Sequence, residues 1–170
     1  MNHQTDLRKL TITALFIALG VLLAPFSIPL GVCKAFPVQH MINVLLAVLL
    51  GWQFSLAGAF CISSIRIAMG MGTLLAYPGS MIGAVLSGIL YQRTGSLWAA
   101  VAGEIFGTGI LGGLISVPVA AILLDSQVVS LFFFVIAFLP NTILGSALAC
   151  LILKFLPARD LIQRHISHRI

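Results

Sequence analysis

The sequence predicts an all-α polytopic membrane protein, a bundle of six transmembrane helices with the N- and C-termini in the cytoplasm. Three observations predict it. Hydrophobic residues make up 60% of the 170 positions and charged residues only 8%, against about 25% charged in ordinary soluble domains. With a mean hydropathy of +1.14, the chain cannot build a water-facing surface. The apolar residues also come in runs of membrane-crossing length rather than in the narrow stripes of a soluble helix. Finally, lysine and arginine gather at the ends and loops that one side of a membrane would hold. The economical reading is a single membrane domain over residues 1–170.

The first run, about Leu7 to Ala24, begins with Arg8 and Lys9, as a secretory signal does. Pro25 and a turn then follow in place of a small-residue cleavage site, so it is read as a retained helix. Ser27 to Phe36, with Pro29, Gly31 and Pro37 just beyond, reads as a loop. The second helix, Pro37 to Leu50, opens on a proline at a tolerated first-turn position and is short for a crossing. Gly51 to Gln53 makes a tight connection to the third, Phe54 to Met69, which Gly70 to Gly72 breaks. Thr73 to Pro78 is expected to be a loop or re-entrant segment. The fourth helix covers Gly79 to Tyr91, and Gln92 to Gly95 turns into the fifth, Ser96 to Leu124, with a kink expected at Pro118. Asp125 to Gln127 marks a loop. The sixth, Val128 to Leu156, is expected to be interrupted at Pro140 and Asn141, and Pro157 opens a basic tail over 157–170.

Orientation follows from the cations. With six crossings and the N-terminus inside, the cytoplasmic side receives Arg8, Lys9, Arg93, Lys154, Arg159, Arg164 and Arg169. Only Lys34 falls in an outer loop, and Arg66 lies within a crossing. An odd number of crossings would separate the two basic ends, so the positive-inside bias favours six.

Several function classes are excluded. Cys33, Cys61 and Cys150 fall in separate segments with no CxxC or Cys/His pairing, so neither a zinc site nor a disulfide framework is suggested. A pI near 9.6 does not bring a basic face, so no nucleic-acid partner is expected. The chain carries no Walker A loop, no GxSxG, no HExxH and no paired nucleophile and base. No enzyme activity, catalytic residue or cofactor is therefore expected, and any ATP consumed would be consumed by another subunit.

Charges inside a bilayer cost about 2.5 to 3.5 kcal/mol each on insertion scales, so those retained need a partner, a cavity or a task. Arg66 and Glu104 are the deepest, about 19 Å and about 12 Å along their helices at 1.5 Å per residue. A structural ion pair between them and a ligand-facing role both fit. His40 and Asn43 share a helix face at i and i+3, bordered by Gln39, although a membrane histidine also serves simply to bond a local carbonyl. Tyr77, Pro78 and Ser80 sit at the outer break, where a tyrosine is also expected as an interfacial belt residue. Thr108 follows Gly107, and Asn141 follows Pro140, whose missing N–H leaves a carbonyl free for the amide to satisfy. These positions converge on the outer half of the bundle, which suits a pocket rather than a pore. Gly103, Gly107, Gly109, Gly112 and Gly113 supply close packing on the fifth helix, as Ala14 and Ala18 do on the first.

Four stretches carry a family resemblance: Ser27-Ile-Pro-Leu-Gly31, Phe36-Pro-Val-Gln-His-Met-Ile-Asn43, Gly72-Thr-Leu-Leu-Ala-Tyr-Pro-Gly-Ser-Met-Ile-Gly83 and Gly103-Glu-Ile-Phe-Gly-Thr-Gly109. From about Leu7 to Pro157 the chain resembles the ThiW family, substrate-binding S components of energy-coupling factor transporters associated with the thiazole precursor of thiamine. The resemblance implies six helices in the bacterial cytoplasmic membrane that capture hydroxyethylthiazole from outside. It also implies docking on a transmembrane coupling protein with two ATPase subunits, and reorientation to release the ligand inside. Ala14 and Ala18 match the AxxxA element by which first helices of S components meet that coupling protein.

Hydroxyethylthiazole is a small neutral heterocycle with a ring nitrogen and a hydroxyl, so it needs an apolar slot with a few placed polar groups. His40, Asn43, Thr108 and Asn141 are the hydrogen-bonding candidates, Tyr77 the stacking one, and Arg66 and Glu104 orient them or touch the hydroxyl. The competing expectations are an S component for another vitamin such as thiamine, and a proton-coupled secondary transporter using Glu104 and His40.

Overall fold

A computed structural model describes residues 3–26, 28–30, 33–123, 130 and 132–155. The expected loop at Asp125–Gln127 and the basic tail 157–170, with Arg159, Arg164 and Arg169, lie outside the described residues. So do Ser27 and Gly31 of the first family-like stretch. Among the described residues the fold is helical apart from one short hairpin.

Helix α1 (His3–Leu22) is followed by β1 (Ile28–Leu30) and β2 (Cys33–Ala35), an antiparallel pair in which Ile28 faces Ala35 and Leu30 faces Cys33. This corrects the plain loop expected at Ser27–Phe36. Three-residue strands are too short to give an alternating pattern that a sequence can reveal. Helix α2 (Pro37–Leu49) starts on Pro37, whose absent N–H would have no intrahelical partner in the first turn anyway. Helix α3 (Trp52–Ala68) runs back against α2.

Helix α4 (Ala76–Thr94) begins earlier than the breaker signals suggested. Tyr77 and Pro78 therefore lie in its first turn, not in a loop or re-entrant segment, because a proline there removes no helix hydrogen bond. Gly95 caps the far end in the left-handed conformation (φ 66°), its N–H bonded to the Tyr91 carbonyl, a backbone state that glycine adopts without penalty.

The fifth apolar run forms one rod of three parts: α5 (Leu97–Glu104), a π-helical segment (Ile105–Gly112) and α6 (Gly113–Leu123), which holds Pro118. The departure from α geometry in this rod lies upstream of the proline on which the kink was expected. Helix α7 (Phe133–Phe155) contains Pro140 and continues through it, correcting the expected interruption. Among the described residues, Leu97–Ile122 and Phe133–Phe155 are each long and apolar enough to cross a membrane.

The thirteen-residue α2 is the centre of the bundle, packed against α3, α4 and α7. Ile42, Val44 and Leu46 are fully enclosed there. One apolar cluster joins Val44, Leu45 and Val48 to Tyr91, Ala100, Ala149 and Leu153. Another joins Ile42, Leu46 and Leu50 to Ile62, and a third, at the opposite end, gathers Leu75, Ala120 and Phe134. The polar side chains occupy the level between them.

Two helices meet there at backbone distance. A Cβ placed on Gly107 would stand 2.6 Å from the Gly83 Cα, and one on Gly112 would stand 2.9 Å from the Gly79 Cα. Only glycine permits that approach, and it presses the Glu104 and Thr108 side chains against α4 and into the level of the polar residues.

Candidate functional site

A cavity of about 400 Å³ opens at this level, toward the small end of the roughly 300 to 1,000 Å³ typical of small-molecule sites. Its apolar wall includes Phe36, Leu75, Ala137 and Phe138, and its polar positions are Gln39, His40, Arg66, Thr73, Ser80, Thr108 and Asn141. The N-terminal turn of α2, the end of α3, the start of α4, the π segment and the middle of α7 each contribute. Further along α2, α4 and α7, Val44, Leu45, Val48, Tyr91, Ala149 and Leu153 pack into an apolar cluster.

Behind the wall lies Glu104, fully enclosed at 0% exposure. Its Oε1 accepts from His40 Nδ1 at 2.9 Å, Asn43 Nδ2 at 3.1 Å and Thr108 Oγ1 at 3.1 Å. Asn43 Nδ2 also donates to the Ser80 carbonyl at 3.2 Å, and Ser55 Oγ donates to the Asn43 carbonyl at 2.8 Å. Glu104 Oε2 and Asn43 Oδ1 have no hydrogen-bond partner. With Nδ1 committed to the carboxylate, the other ring nitrogen of His40 is left for whatever enters the cavity.

A second chain of bonds begins at Arg66, which is 9% exposed. Arg66 Nη1 donates to Gln39 Oε1, and Nη2 to the Met71 carbonyl at 3.2 Å. Gln39 Nε2 donates to Ser63 Oγ at 2.8 Å. Ser63 and Ser80 share a bond of 3.1 Å, and Ser80 Oγ donates to the Ala76 carbonyl at 2.8 Å. Because the Ser80 hydroxyl hydrogen goes to Ala76, the shared hydrogen is Ser63's, which gives the chain one direction. The guanidinium also lies over the Phe36 ring, 5.3 Å from its centre. Asn141 ties the hairpin to α7: its Oδ1 accepts from the Phe36 N–H, and its Nδ2 donates to the Ala137 carbonyl at 2.7 Å.

Residues 10–159 match the family described as "Thiamine-precursor transporter protein (ThiW)". The chain belongs to the ThiW family. No curated protein and no solved structure matches it. ThiW is a family of transporters, and with the two long apolar helices this makes the chain a membrane protein.

On this ThiW chain the sequence-predicted residues fall into three groups. His40, Arg66, Thr108 and Asn141 line the cavity. Asn43 and Glu104 sit behind it: Glu104 holds His40 and Thr108, and Asn43 holds Glu104. Tyr77 is not on the wall: its hydroxyl bonds Ser64 at 3.0 Å and its ring lies 5.7 Å from that of Phe60. Of the two readings of Arg66 and Glu104, the ion pair between them is not formed, since the carboxylate is taken by His40 and the guanidinium by uncharged acceptors. Asn141 bonds the Ala137 carbonyl rather than that of Ile136, the one Pro140 deprives of its donor.

Phe36 and Phe138 were missed. Phe36 opens a stretch that was singled out, but nothing in the spacing marks an aromatic as cavity-lining rather than core. Ala14 and Ala18 are exposed on α1. Among the described residues no three His, Cys, Asp or Glu side chains gather in a way that could hold a metal ion.

Proposed function

We propose that this chain is the substrate-binding S component of an energy-coupling factor transporter, capturing hydroxyethylthiazole from outside. In this reading its six helices form one domain in the bacterial cytoplasmic membrane, with both termini inside. The observation that carries it is the cavity: apolar on its aromatic walls and polar at a few fixed points, in a chain of the ThiW family. The thiazole ring lies between Phe36 and Phe138. His40, its ring fixed by Glu104, which Asn43 holds in turn, bonds the ring nitrogen or the hydroxyl, and Thr108, Asn141 and Arg66 complete the polar set. A site of this kind holds its orientation because each polar side chain is itself anchored behind the wall.

Transport then requires partners. The exposed Ala14 and Ala18 on α1 form the small-residue face that meets a transmembrane coupling protein. Two ATPase subunits on that protein drive the reorientation that releases the ligand inside.

The test is calorimetric titration of the purified chain with hydroxyethylthiazole, thiamine and pyrimidine compounds. Hydroxyethylthiazole binds, and His40→Ala weakens it by tenfold or more, as expected for about 1.5 kcal/mol or more from one well-placed hydrogen bond. Wild-type affinity in His40→Ala would refute this pocket, and tighter binding of thiamine would reassign the ligand.

The close His40–Glu104 pair favours one other reading, a proton-coupled secondary transporter. Uptake by the chain alone in liposomes under a proton gradient, without ATPase subunits, would establish that reading in place of the first.

A further inference from the structure

Arg66 reaches the cavity wall with its charge unmatched. The only ion pair among the described residues joins His40 to Glu104. The acceptors around Arg66 are the amide oxygen of Gln39, the carbonyl of Met71 and the face of Phe36, all uncharged. A guanidinium carries five N–H donors. The bonds to Gln39 and Met71 use two of them, and the enclosed Nε–H has no acceptor. Such a group, nine-tenths buried and inside a bilayer-embedded bundle, is stabilised most by an anion, and none of the described residues offers it one. Glu104 does not serve: it is fully enclosed behind the wall, and its charge is taken up by three donors on Oε1.

The neighbourhood of Arg66 is built rather than adventitious. Gln39 is oriented for it by the bond to Ser63, and Ser63 by Ser80, so the guanidinium plane is held in place before any ligand arrives. Gly72 and Thr73 line the cavity beside it without a competing carboxylate. A guanidinium fixed in this way matches two oxygens of one anionic group in a fork.

Resting on the thiazole-binding reading above, we infer that the Arg66 end of the cavity is a subsite for an anionic oxygen group on the ligand's side arm. A thiazole whose arm ends in a carboxylate or a phosphate ester is then preferred over the neutral alcohol. The ring occupies the Phe36–Phe138 slot in both cases. The arm replaces the missing counter-ion of Arg66 only when it is charged.

The experiment compares three probes on the full chain in nanodiscs at low ionic strength: 4-methyl-5-(2-hydroxyethyl)thiazole, its phosphate ester, and 4-methylthiazole-5-acetic acid. In wild type at least one anion binds about tenfold or more tighter than the alcohol, since charge-assisted hydrogen bonds are about twice as strong as neutral ones. In Arg66→Gln the anion-to-alcohol ratio falls to about one. Alcohol binding with no preference for either anion overturns this inference while leaving the thiazole reading intact. A preference that survives in Arg66→Gln also overturns it, because another cation would be responsible. Failure of all three probes in wild type overturns both. Should Arg66→Gln not fold, the wild-type comparison alone decides.

Discussion

Gly83 is the position at which one methyl group does most damage to the site. An added Cβ would stand 2.0 Å from Thr108 Oγ1 and 2.7 Å from Glu104 Oε2. Both are well inside contact distance, and neither atom belongs to a freely swinging side chain. Thr108 is β-branched and fully buried, and Glu104 is tethered by three donors. Overpacking of this kind costs about 1 to 3 kcal/mol. Turning Thr108 away also breaks its 3.1 Å bond to the carboxylate, a further loss of about 1.5 kcal/mol for a charge-assisted bond. Gly83→Ala is therefore expected to destabilise the bundle by about 2.5 to 4.5 kcal/mol.

Thr108→Ala alone loses the bond and leaves a small void but introduces no clash, so its cost is about 1.5 to 3 kcal/mol. In the double variant the new methyl occupies the space left by Thr108 and the worse of the two clashes disappears. Its cost is expected to fall short of the sum by about 1 to 2 kcal/mol, the coupling of residues in direct contact. Unfolding by denaturing-detergent titration of all four proteins gives the cycle. Strict additivity, or a Gly83→Ala cost under about 0.5 kcal/mol, would refute the close approach of α4 and the π segment.

Two further variants test other parts of the fold. Gln39→Leu leaves Arg66 without its Nη1 acceptor and Ser63 without its donor, so thermal unfolding is expected to show a loss of about 2 to 4 kcal/mol. A neutral outcome would mean that Arg66 relies on Met71 and Phe36 alone. Ala14→Leu combined with Ala18→Leu changes two exposed side chains, so stability is expected to move by no more than about 0.5 kcal/mol while uptake with the coupling module is lost. Undiminished uptake would remove that helix face from the partner interface.

Composition and run length alone carried the helical reading, because whether a segment leaves water depends on its summed apolar surface, not on its neighbours. Arg66, Glu104, His40 and Asn43 stand out in the sequence for the same reason: a polar group in a long apolar run is costly wherever it points. Element ends were less legible. Pro78 reads as a breaker along the sequence and proves to be a first-turn residue of α4, since proline's effect depends on which carbonyl it faces. Pro140 likewise sits inside a continuous α7.

Which polar groups meet belonged to the tertiary structure. Depth along each helix brought Arg66 within reach of Glu104, but pairing depends on how the helices are rotated about their axes and how closely they approach. Glycine contacts between α4 and the π segment turn Glu104 toward His40 and Asn43. Gln39, one residue before His40, is the partner that claims Arg66. Hydrophobicity is a property of each residue and is written in the chain, whereas a hydrogen bond is a property of two residues at a distance of about 3 Å, and only packing sets that distance.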